Sequence, residues 1–428
     1  DMMELRSRIS LFQVLPWVYG AGVARFLTPM IVLPVMAARL GPTEFGRLSF
    51  VVGWAALLSI VVEGGFLAAA TRIAVSAGPA RRWQLAQQVF TARCVLCVPT
   101  VILAAVAAWW TQPLADAAAT HQCSDALAVA GLAVALGWPA TWYLQATQQL
   151  SRWAKVEIAV HATSVVLCVA FARSMEIYLI VQGLAATVLA LWGWRWLYRD
   201  LEPQAGSQRL WSCSQIVPGL RLGWTMMPVS IAGAAYSLAL PAIGSRQMSS
   251  AELGHYFLVD RLVRALISAI EPFTAVIYPR IVRAFANGER EALSYAARWA
   301  LLGTLVGLCI LGLGLLGWPI GRVYWASRSG TMNSEHLYAV FMVLGWLLPM
   351  LMGWKFLGYW MLGSGRYDRA YRLCVVVGGA VGLVGALTIG GASGAVGLAW
   401  TAVGAEIAVT AVAVTGVWLA RRASSASF

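Results

Sequence analysis

Long apolar runs broken by short polar joints dominate the chain. Twelve of them are long enough to cross a hydrocarbon core of ~30 Å, which takes ~20 helical residues. They lie at about 14–38, 48–70, 89–110, 126–145, 156–172, 177–196, 222–243, 254–279, 295–318, 336–361, 371–389 and 395–419. The fifth run is short, and only Arg173-Ser174-Met175-Glu176 separates it from the sixth, which predicts a tight hairpin and leaves ten or eleven crossings open. The predicted fold is all-α: a polytopic membrane protein of roughly twelve transmembrane helices.

Composition agrees with that pattern. The chain has 428 residues, 60% apolar and 11% charged, against about 25% charged in a soluble domain. An ordinary soluble domain, a fibrous chain and a disordered one are excluded. The net charge of +13 would suggest nucleic acid in a soluble protein. Here the cations stand between apolar runs, and 29 of the 31 are Arg, so they report orientation, because basic loops resist translocation. Alternate loops on the side of the N-terminus hold 20 cations, the opposite loops six. Both termini are expected on the cytoplasmic side.

The chain repeats itself. Glu44-Phe45-Gly46 recurs as Glu252-Leu253-Gly254, Glu63 as Glu271, and Arg72-Ile73 as Arg280-Ile281, all at an offset of 208 residues. Six runs separate the copies, so both halves have the same orientation. That is a parallel pseudo-two-fold repeat, which lets two six-helix bundles rock about a central site. The expected division is 1–200 for the first lobe, 201–220 for a cytoplasmic linker and 221–428 for the second lobe. Gly303-x-x-x-Gly307, Gly317-x-x-x-Gly321 and Gly378-x-x-x-Gly382 permit close helix contact and are read as packing within a lobe.

Little conventional chemistry is visible. The largest outward loop, about Pro319 to Glu335, is under twenty residues and leaves no room for an external catalytic domain. Gly363-Ser364-Gly365-Arg366 lacks the spacing and lysine of a phosphate loop. The seven cysteines, Cys94-x-x-Cys97 included, lie mostly in apolar runs and are read as packing, and His121, His161, His255 and His336 are scattered. No metal site, cofactor or nucleic-acid partner is expected.

The informative residues are ionisable groups inside spans, each costing roughly 3 kcal/mol or more unless it lines a wet cavity or finds a partner. Arg25 lies near the middle of the first span. Asp260, Arg261 and Arg264 lie in the eighth, where Asp260, Arg264 and Glu271 share one face. Lys355 lies inside the tenth and Glu406 near the middle of the twelfth. Arg93, one turn into its span, is expected to snorkel to the headgroups. Asp260 with Arg261 is weighed as a structural pair, and Lys355 is divided between cavity and interface. The depth of Arg25 and Arg264 favours a cavity role over an internal salt bridge. One from each lobe, with Arg261 and Lys355 nearby, they would make an anion site whose guanidinium forks suit a pyrophosphate. Glu63, Asp260, Glu271 and Glu406 are candidates for ion coupling, with Glu63 and Glu271 equally read as structural pins.

The stretch Arg39-Leu40-Gly41-Pro42-Thr43-Glu44-Phe45-Gly46-Arg47-Leu48-Ser49-Phe50, followed by Glu63-Gly64-Gly65-Phe66 and Ala70-Thr71-Arg72, resembles the N-terminal signature of the Wzx-type polysaccharide flippases. These belong to the multidrug/oligosaccharidyl-lipid/polysaccharide exporter superfamily. The resemblance is specific over about 13–75 and general elsewhere. It implies twelve helices in two bundles, and a substrate of undecaprenyl pyrophosphate carrying an O-antigen or exopolysaccharide repeat unit, turned to the periplasmic leaflet. It also implies coupling to H+ or Na+, and a polysaccharide polymerase and chain-length regulator as partners alongside membrane lipids. The expected function is therefore a flippase that makes and breaks no bond. The alternatives are an ion-coupled multidrug exporter, a membrane polymerase or ligase, and a non-transporting scaffold.

Overall fold

A computed structural model gives the fold. It describes residues 2–74, 77–110, 122–147, 149–205, 209–224, 226–227, 231, 248–270, 273–274, 277, 281, 284–285, 288–326, 334–364 and 367–425. Among these every regular element is helical: α1 (Met2–Glu63), α2 (Phe66–Ala74), α3 (Pro79–Trp110), α4 (Gln122–Gly137), α5 (Thr141–Ala146), α6 (Leu150–Phe171), α7 (Met175–Ala205), α8 (Ile216–Trp224), α9 (Ser250–Ser268), α10 (Glu289–Ala326), α11 (Ser334–Leu344), α12 (Leu347–Ser364) and α13 (Asp368–Ser425). Nine segments among the described residues are long and apolar enough to cross a membrane. Most of the seventh expected span lies outside the described residues. The eighth is represented by α9, a continuous helix whose apolar run is interrupted by Asp260, Arg261 and Arg264.

Local chemistry explains the joints. The first two expected spans are one element because Gly41 alone turns the chain between them, at φ 74° and ψ 175°. Only glycine enters that region freely, and Pro42 follows at the first position of the new helix, where its missing N–H is harmless. Gly394, at φ 57°, joins the last two spans in the same way. A third break falls at Gly64 and Gly65, with φ 62° and 74°.

By contacts the chain forms two compact units, one of residues 1–32 and 48–234, the other of 33–47 and 235–428. In the first, α3 packs on α4, α7 and α8, and α6 on α7. Its core includes Phe66, Trp83, Val89, Trp142, Tyr143, Trp153 and Trp194. The second is organised on α10 against α12, with α11 and α12 on α13. Gly303 and Gly307 bring α10 onto α12: a Cβ at either would lie 2.5 Å from the Met352 carbonyl oxygen or 2.6 Å from the Pro349 backbone. This stripe therefore packs inside one unit.

Within the second unit the repeat meets itself. A Cβ at Gly46 would fall into the carbonyl of Ser250, and one at Gly254 would lie 2.9 Å from the Pro42 carbonyl oxygen. The 208-residue offset carries Gly46 to Gly254 and Pro42 to Ser250, so the two contacts exchange with each other. Such reciprocity is what a two-fold axis imposes. The Phe45 ring meets Phe257 edge-on at 6.1 Å beside it.

Candidate functional site

Arg25 is held from α6. Its Nε donates to Glu157 Oε1 at 3.0 Å and its Nη2 reaches the same oxygen. The two ends differ in accessibility: the Glu157 side chain is 8% exposed, that of Arg25 60%. One turn further along α6, His161 Nε2 lies 3.9 Å from Glu157 Oε1. Nearer the start of both helices, Lys155 Nζ stands 4.5 Å from the centroid of the Trp17 ring. α1 and α6 thus present a buried carboxylate that orients an accessible guanidinium. Because both bonds go to one carboxylate oxygen, the fork is not closed bidentately, and Nη1 remains able to donate to an anion.

In the second unit, α9 makes its own pair. Arg264 Nε donates to Asp260 Oδ1 at 2.7 Å, and Asp260 is almost wholly buried. The Asp260–Arg261 pair weighed from sequence is replaced by Asp260–Arg264. Neighbours at i and i+1 point to different sides of a helix, while i and i+4 share a face. Arg261 stands over the Phe257 ring at 4.8 Å. Lys355 is half-buried on α12. Glu406 is 5% exposed on α13, and its carboxyl makes no hydrogen bond or ion pair among the described residues. Arg25 belongs to the first unit and Arg264, Arg261 and Lys355 to the second.

Glu63 is engaged at a helix end. Its carboxylate accepts from the Gly65 and Leu67 N–H groups at 2.9 and 2.5 Å, satisfying donors that the start of α2 leaves open. Gly65 is pressed against α8 as well, where a Cβ would lie 2.9 Å from the Gly223 carbonyl oxygen. Its repeat partner Glu271 lies outside the described residues.

Arg93 corrects an expectation. It does not snorkel: it is 1% exposed, and its Nη1 donates to the carbonyl oxygens of Trp138 and Pro139 at 2.6 and 3.0 Å. Residues 138–140 break the run between α4 and α5, leaving carbonyls without helical donors. The Trp138 carbonyl also receives Trp194 Nε1 at 2.9 Å.

Glu157 is the residue that the sequence reading passed over. Its signal was a carboxylate and an imidazole at i and i+4, Glu157 and His161, at the start of the short fifth span. Among the described residues no three His, Cys, Asp or Glu side chains gather as a metal site.

These features define a polytopic membrane protein of two helical units built on a repeat, with charged stations set inside its spans. The model of the family described as "Polysaccharide biosynthesis protein" matches residues 16–285, and the chain belongs to that family. No curated protein matches it. Among solved structures the fold is similar to that of a lipid II flippase MurJ in its inward closed conformation, with TM-score 0.68 and 9% identity over 95% of this chain and 93% of that one. An inward-facing multidrug resistance MATE family transporter of the MOP superfamily aligns with TM-score 0.70 and 11% identity, covering 94% and 95% of the two chains. The eukaryotic MATE transporter AtDTX14 aligns at 0.57 and 14%, covering 99% of each. The protein has the two-lobe fold of the MOP superfamily.

Proposed function

We propose that the protein flips a polyprenyl-diphosphate-linked oligosaccharide, an undecaprenyl pyrophosphate carrying a repeat unit, from the cytoplasmic to the periplasmic leaflet of a bacterial inner membrane. The observation that carries this reading is the accessible Arg25 guanidinium, anchored within a membrane-spanning helix by buried Glu157. A guanidinium at such depth costs roughly 3 kcal/mol on insertion scales. Family membership in polysaccharide biosynthesis supports a glycan cargo. The MOP fold supports movement by alternating access and not by bond making.

In this reading both termini are cytoplasmic, and the diphosphate takes the donors that Arg25 turns away from Glu157. Arg264, oriented by Asp260, is the candidate anion-binding cation of the second lobe, with Arg261 and Lys355 as further basic groups. Coupling to an H+ or Na+ gradient runs through an acidic residue inside the spans, and Asp260, paired with Arg264, is one candidate. Glu406, buried and without an ionic partner among the described residues, is the second candidate. Glu63, occupied at the α2 terminus, holds structure, and Glu271 is assigned the same part by the repeat. A polymerase and chain-length regulator receive the product.

The test is flipping of fluorescent undecaprenyl-diphosphate oligosaccharide in proteoliposomes. Arg25→Gln is expected to lower the rate at least tenfold with the protein still folded. An unchanged rate refutes the site. The MATE likeness favours a multidrug exporter as the second reading; efflux of a cationic dye that survives Arg25→Gln would support it.

A further inference from the structure

At the end of the first unit where α3 and α6 begin and α7 ends, a cleft of about 410 Å³ opens among Pro79, Arg82, Tyr143, Thr147, Gln149 and Asp200. Its volume lies within the ~300–1,000 Å³ of small-ligand sites. The walls are held rigidly. Asp200 Oδ2 accepts from Tyr143 Oη at 3.0 Å and from Gln149 Nε2 at 2.8 Å. The Thr147 hydroxyl donates to the Tyr143 carbonyl at 2.9 Å, and Arg82 Nε to that of Ala74 at 3.0 Å.

What this network leaves over points to a ligand. Gln149 Oε1 is buried with no partner among the described residues, a position that costs about 1–3 kcal/mol when nothing fills it. Among the described residues, Asp200 Oδ1 and the terminal nitrogens of Arg82 make no hydrogen bond. One carboxylate and one guanidinium make the cleft neutral overall, so neither an anion nor a cation is favoured. Adjacent hydroxyls of a sugar ring donate to Asp200 and Gln149 and accept from Arg82 together. Gln149 and Glu157 are eight residues apart, about 12 Å along the run into α6. That is the scale of a sugar joined to a diphosphate.

We propose that this cleft binds a sugar residue of the cargo while the diphosphate engages Arg25, which rests on the function proposed above. Asp200 and Gln149 accept from its hydroxyls, Arg82 donates, and the cleft makes the protein prefer glycosylated lipid to bare carrier.

The experiment measures binding of undecaprenyl diphosphate and of undecaprenyl diphosphate N-acetylglucosamine to the full chain in nanodiscs. The wild type is expected to bind the glycosylated lipid at least tenfold more tightly. Asp200→Asn and Arg82→Gln should each erase that preference while leaving affinity for the bare lipid unchanged. Arg25→Gln should weaken both lipids alike. As a second measurement, maleimide labelling of Thr147→Cys in a cysteine-free background should slow at least fivefold with the glycosylated lipid and not with the bare one. Equal wild-type affinity for the two lipids, an undiminished preference in both cleft variants, or labelling that responds to neither lipid while both bind through Arg25, overturns the cleft alone. Loss of bare-lipid affinity in the cleft variants also overturns it, since the network would then be structural. A wild type that binds neither lipid overturns the flippase reading and the cleft with it.

Discussion

Replacing Arg93 by leucine tests whether a fully buried cation is a strut. The change removes two charge-assisted hydrogen bonds, worth about 1.5–3 kcal/mol each, and the Phe66 ring contact, whose centroid lies 5.8 Å from the guanidinium carbon and adds about 0.5–2 kcal/mol. Against this stands relief of the guanidinium's desolvation, several kcal/mol. The two acceptors fare differently. The Trp138 carbonyl keeps Trp194 Nε1, whereas the Pro139 carbonyl loses the donor at 3.0 Å and costs about 1–3 kcal/mol if left buried and unmet. The balance is a destabilisation of about 2 kcal/mol. For a unit of some 200 residues this corresponds to a fall of about 4–8 °C in Tm. Differential scanning fluorimetry in detergent reads it, since Trp138, Trp142 and Trp194 all lie near the break. Arg93→Lys should recover part of the loss, because an ammonium retains donors but not the fork. A Tm within 1 °C of wild type for Arg93→Leu would refute the strut and return Arg93 to the headgroups.

Two further changes probe joints of the fold. Gly46→Leu forces a side chain into the Ser250 carbonyl, and overpacking of this kind costs about 1–3 kcal/mol; a lowered Tm is expected, and normal stability would show the contact to be loose. Glu63→Ala removes the acceptor of the Gly65 and Leu67 N–H groups and should cost about 1 kcal/mol, as other N-terminal caps do. Glu63→Gln, whose amide oxygen still accepts, should cost less. Equal losses for the two would show that the charge matters and not the bond.

The fold was legible where the cause is local. The first joint falls between the runs 14–38 and 48–70, at Gly41, whereas the break at Gly64 and Gly65 lies inside the run 48–70 and was read through, although its cause is a few adjacent residues. The i, i+4 spacing put Asp260 and Arg264 on one face, but Asp260 was weighed with Arg261, and Arg264 and Arg25 were favoured for a cavity over the salt bridges that both make. What else escaped depends on distant chain segments. Glu157 meets Arg25 across 132 residues, and no periodicity reports which helices adjoin. Arg93 was misjudged because its partners are carbonyls freed by a break 45 residues away, and backbone acceptors leave no mark in composition. The polar cleft is assembled from three chain joints, each of which reads alone as an ordinary loop.

The exchanged contacts of Gly46 with Ser250 and of Gly254 with Pro42 mean that each half of the polypeptide carries both faces of a self-complementary patch. A half-length ancestor would already have possessed what it needed to pair with an identical copy. Fusion of the genes then turned association between molecules into a permanent intramolecular junction, one whose strength no longer depends on protein concentration.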